Sequence, residues 1–180
     1  MRRSAFLTGL AVFALATPAL ASTADADFRA LCLHPKGDLV ATKVVARLGN
    51  WGDAIGSGTA GRIAMVKVTK AWAWVRASRT LRVGDGTVSL DGKVIAARAC
   101  SLSDPSGGAG SLAAARAAIA GPPIRQSAAG SVYMLDARTG AALSQDPPVQ
   151  SFARGQVAMV LLGGQGPRAE FVYVIGRPAV

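Results

Sequence analysis

Few side chains in this 180-residue sequence are equipped for chemistry: two cysteines, one histidine, one glutamate and nine aspartates, against 20 Lys+Arg. General acid–base catalysis needs a titratable group of matched pKa beside the reacting atom, and this inventory supplies little beyond aspartate. His34 precedes Pro35 at the end of a helical pattern, where a protonated imidazole is favoured by the helix dipole. A zinc site would require an unusual all-aspartate set, because the sequence has neither H-E-x-x-H nor C-x-x-C. The nucleophile patterns G-x-S-x-G and S-x-x-K are also missing. The aspartates that could still form a carboxylate cluster are Asp53, Asp85, Asp91, Asp104 and Asp136. Turn formation accounts for Asp85 and Asp91, and a bend at Pro105 for Asp104. No catalytic residue, metal or cofactor is expected.

One stretch matches a cofactor motif in its letters. Gly56-Ser57-Gly58-Thr59-Ala60-Gly61 satisfies G-x-G-x-x-G. The dinucleotide fingerprint works when a strand feeds the loop and a helix follows, so that pyrophosphate meets the helix N-terminus. Here a helical pattern precedes the loop and the β-rich run 62–68 follows it. A glycine-rich connection over 52–61 is the expectation.

The N-terminus has the form of a secretory signal peptide. Arg2 and Arg3 form a basic n-region, 5–16 an apolar h-region, and Ala19-Leu20-Ala21 a small-x-small cleavage site. A bilayer-spanning helix needs about 20 apolar residues, whereas Pro18 interrupts this shorter run. The expected mature chain is residues 22–180, a single basic domain in the periplasm or secreted, without a membrane span. In an oxidising compartment the two cysteines point to one disulfide, Cys32 to Cys100. On the chain-entropy argument such a bridge removes about 4 kcal/mol of unfolded-state entropy. A thiol nucleophile would need a base such as His34, and residues two apart on a helix do not face each other.

Periodicity assigns a first helix to 23–34, with Phe28, Leu31 and Cys32 on one face, and a second from the N-cap Asp38 to Gly49-Asn50. Leu39, Val40, Val44 and Leu48 are the apolar positions of the second helix, and Trp51 is expected to fold back on the pair. From Ile63 to Leu102 the pattern is that of strands, with Gly84-Asp85-Gly86 and Asp91-Gly92 as turns of an antiparallel meander. A short alanine-rich helix is expected over 111–120, then strands over 131–136, 157–162 and 171–175. The last two are apolar on both faces, which suits central positions.

The basic residues suggest a surface rather than a nucleic-acid footprint, since they are scattered singly. Arg76, Arg79 and Arg82 come closest to a cluster, and Trp72 and Trp74 share a strand face beside them. These five residues are the candidate binding surface, for an anionic envelope component or another envelope protein. The competing reading of the tryptophans is burial, because only ten aromatics are available to build the core.

The leader, the short helix carrying Phe28-x-x-x-Cys32, Gly37-Asp38 opening a second helix that ends near Gly49-Asn50-Trp51, and a later strand carrying Cys100 together make a pattern. It resembles small exported proteins of uncharacterised function in high-GC Gram-negative bacteria. That resemblance implies a periplasmic or secreted address and brings no catalytic residues with it.

The expected architecture is therefore α+β: two N-terminal helices packed on an antiparallel sheet of about five to seven strands, with one disulfide. The expected function is a non-catalytic exported binding or interaction protein with a basic surface. The alternatives are a small periplasmic enzyme using clustered aspartates, and a docking subunit of an envelope complex. A continuous arginine patch favours the first, carboxylates gathered in a cleft the second, and a large exposed apolar patch the third.

Overall fold

The computed structural model describes residues 23–55 and 58–178, so the proposed leader and its cleavage site, and Gly56 and Ser57 of the glycine motif, lie outside the described residues. Nine strands dominate the described residues: β1 (Gly52–Asp53), β2 (Thr59–Ile63), β3 (Val66–Arg76), β4 (Arg79–Leu90), β5 (Lys93–Asp104), β6 (Arg125–Ser127), β7 (Gly130–Asp136), β8 (Val157–Gly163) and β9 (Ala169–Gly176). They form one antiparallel sheet in the order β1-β3-β4-β5-β9-β8-β7-β6, with β2 also paired to β3. The helices are α1 (Ala24–Phe28), continued as a π-helical turn over Arg29–Leu33, α2 (Leu39–Leu48), α3 (Gly108–Ala118) and α4 (Val149–Ala153).

This corrects the expected α+β architecture of two N-terminal helices packed on five to seven strands. The sheet is larger, and the helices are short attachments to it. The N-terminal segments do not make a helical layer: α1 and the π turn form one run, and α2 packs mainly against that run. Strands β1, β2 and β6 escaped the reading because they are short and carry exposed polar or glycine residues, without apolar alternation. Their pairing is set by register with β3 and β7.

The Asp91-Gly92 turn occurs as expected, with φ of 48° and 73°. Gly84-Asp85-Gly86 is not a turn but lies inside the continuous strand β4. A Cβ on Gly86 would lie 2.0 Å from the Lys67 carbonyl oxygen, and one on Gly84 2.7 Å from that of Lys70. Only glycine lets β3 approach this closely. Opposite these glycines the β3 register slips between Val68 and Lys70. The slip reverses the faces of β3, so Val66, Val68 and Ala71 join one core and Trp72 and Trp74 the other.

The two sheet faces accordingly carry separate cores. On one, Phe28, Leu31, Trp74, Leu102, Phe171 and Tyr173 pack beneath α1, the π turn and α3. Phe28 and Phe171 meet with ring centroids 5.4 Å apart in a tilted contact. Cys32 is bonded to Cys100 within this core and fastens the π turn to β5. On the other face Ile63, Val88, Ile95, Phe152, Met159 and Val174 make a smaller core between the β2–β3 hairpin and α4. None of the described helices is long and apolar enough to cross a membrane.

Candidate functional site

The three arginines singled out from the sequence do not form one surface. Side chains alternate along β4, so Arg82 points away from the face that Leu81 and Val83 bury. Arg76 and Arg79 lie on the helix-covered face. Both pair with Asp27 of α1, Arg79 Nη1 at 2.6 Å from Oδ2. Arg79 Nε also donates to Asp104 Oδ2 at 2.9 Å, and Arg76 Nη1 to the Gly49 carbonyl at 3.1 Å. The Arg76 guanidinium stacks 4.7 Å from the Trp51 ring centre.

Burial opposes ionisation of Asp104, but the Ser106 N–H and the Arg79 guanidinium outweigh it and hold the carboxyl below the usual carboxylate range. Desolvation likewise opposes the charge on Arg79, and its two carboxylate partners more than compensate, raising its pKa. This network locks α1 to the β3–β4 hairpin. Trp74 is buried and Trp72 half-buried against the same core, with the Lys70 ammonium 5.1 Å from the Trp72 ring centre.

Arg82 belongs to a different neighbourhood, which the strand register defines. Following partners from strand to strand, one row runs Ala73, Arg82, Ser101, Val172, Leu161, Val132. The next runs Val75, Thr80, Ser103, Glu170, Gly163, Gly130. The two rows make an open band across the sheet face that β2 and α4 cover further along. Over β3, β4 and β5 the band is small and polar, and Arg62, Arg82 and Arg168 converge on it with Asp53 and Glu170 in a cavity of about 810 Å³. Over β7, β8 and β9 it is glycine-rich and apolar, with a cavity of about 610 Å³. Ala64, Arg168 and Glu170 line both cavities, so the two are adjoining parts of one groove. No ion pair among the described residues involves Arg62, Arg82 or Arg168.

The composition of the groove suits binding an anion with an apolar extension, because three guanidiniums at one end exceed the two carboxylates there. Of these residues the sequence reading had singled out Arg82 and Asp53 and passed over Arg62, Arg168, Ser101, Ser103 and Glu170. One signal was present: alternate positions of β5 run Ile95, Ala97, Ala99, Ser101, Ser103, so one strand face changes from apolar to hydroxyl.

The five candidate aspartates are dispersed. Asp53 lines the groove, and Asp104 sits in the α1 network. Asp85 is bound by Arg98 and Arg177, and Asp91 is in the turn between β4 and β5. Asp136 accepts the Thr139 N–H and hydroxyl and the Arg138 N–H, a hydrogen-bond set that lowers its pKa. His34 is exposed. Among the described residues no three His, Cys, Asp or Glu side chains are placed to hold a metal ion. Comparison of the chain with family models, curated proteins and solved structures found no match.

Proposed function

We propose that this chain is an exported, non-catalytic binding protein whose basic surface is the arginine-lined end of the sheet groove. Its ligand is an organic anion with an apolar portion: the acid group sits among Arg62, Arg82 and Arg168, and the apolar part lies along Val172, Leu161 and Val132. The observation that carries this reading is the change of character along two cross-strand rows, from Arg, Ser and Thr to Val, Leu and Gly. A groove of mixed lining with a few placed charges is how small-molecule sites usually combine affinity with orientation. Export is supported by the leader-like N-terminus and, more weakly, by the disulfide.

The test is titration with a long-chain fatty acid and with the corresponding alcohol. The acid should bind at least tenfold more tightly, and Arg82→Ala plus Arg168→Ala should remove that preference while leaving thermal unfolding unchanged. Equal affinity for acid and alcohol, or an unchanged preference in the double variant, would defeat the proposal.

A further inference from the structure

Helix α2 packs mainly against the π turn; Ala46, Leu39 and Val45 face the core, but three other apolar residues face away from it. Thr42 and Ala46 are fully buried, and the Thr42 hydroxyl donates to the Leu31 carbonyl at 3.0 Å. Asp38 caps the helix through the Ala41 N–H, and its second oxygen binds Arg98. The helix is therefore held in one orientation. On the opposite side Val40, Val44 and Leu48, spaced i, i+4, i+8, are 72%, 53% and 81% exposed. Three branched apolar side chains in a row on the solvent side of a fixed helix need a cover.

The charges beside the stripe indicate what covers it. Lys43 and Arg47 are exposed and flank the stripe on the helical wheel, Lys36 is exposed just before the helix, and Leu39–Leu48 contains no acidic residue. Among the described residues no carboxylate pairs with any of these three. An apolar ridge edged on one side by basic side chains complements the headgroup boundary of an anionic bilayer, where the ridge enters the acyl region and the cations meet lipid phosphates. We infer that α2 is an interfacial helix that docks the protein on an anionic membrane surface. It is separate from the groove and independent of what the groove holds.

The test uses the protein recovered after export, incubated with phosphatidylcholine/phosphatidylglycerol vesicles and with phosphatidylcholine vesicles alone, bound protein being read by sedimentation. The wild type should bind the anionic vesicles, and added salt should weaken binding. Val44→Asp plus Leu48→Asp should lower partitioning at least tenfold, Lys43→Glu plus Arg47→Glu should abolish the preference for phosphatidylglycerol, and Val44→Leu should retain binding. All these positions are exposed, so circular dichroism should match the wild type, and fatty-acid affinity should be unaltered. Wild-type protein that stays in the supernatant, or variants that sediment equally, would overturn the inference. So would a dimer that Val44→Asp plus Leu48→Asp splits, which would assign the stripe to a second copy of the chain.

Discussion

Asp27 accepts two guanidiniums while its own side chain is almost wholly buried. Charges taken out of water in this way are stable only while paired, and removing one partner leaves the others uncompensated. Asp27→Ala should therefore lower the unfolding free energy by about 3 kcal/mol, read as a fall in the urea midpoint at unchanged slope. An unchanged midpoint would mean that the pairs are no stronger than ordinary surface contacts. In the sequence Asp27 is legible only as an acidic residue near a helix start, and Arg76 and Arg79 only as neighbouring cations. Their meeting depends on where a helix lands on a hairpin some fifty residues away, and no local pattern encodes that distance. Cys32 and Cys100 were legible at the same range because oxidising conditions leave two lone thiols one partner each.

Among the elements, the β3–β4 hairpin decides which side chains reach which face. Glycine at Gly86 permits the close approach of β3, and the register slip beside it sends Trp72 and Trp74 to the helix-covered side. Gly86→Ala should cost about 3 kcal/mol, the upper range for overpacking, because the obstacle is a backbone carbonyl that no rotamer change removes. Chemical denaturation would measure it, and a loss below 1 kcal/mol would show that the hairpin relaxes freely. Asp-Gly at 91–92 was readable because a tight turn demands left-handed backbone there. The Gly84-Asp85-Gly86 triplet was misread because glycine serves close packing and tight turns alike. For α2 the period was legible and the burial was not: Val40, Val44 and Leu48 have the spacing of a core face, yet the helix turns that face outward.

For the molecule as a whole, the perturbed ionisations should make stability depend on pH at both the acid and alkaline ends. Asp38 is held low by the Ala41 N–H and by Arg98, against the cost of burial, and Asp104 is low as described above. Below the ordinary carboxylate range the unfolded chain binds protons that the folded chain still excludes, so stability falls as pH drops through that window and is level above it. At the alkaline end burial pushes Tyr173 up to about 12. The unfolded chain ionises near the ordinary value of about 10 while the fold keeps its proton, so stability declines again between those limits. Thermal unfolding followed across pH should show both limbs, and a level alkaline limb would contradict the burial of the phenol.

The strand order has a temporal consequence. β9, the last strand among the described residues, lies between β5 and β8 and joins the two sides of the sheet. Until residues 169–176 arrive, a polypeptide emerging from its N-terminus holds two sets of strands that no backbone pairing joins, although Cys32 and Cys100 are by then both available to bond. Cooperative sheet structure must wait for β9 to insert, so chains cut before Ala169 would lack the strand that pairs β5 to β8 and would be open to proteolysis.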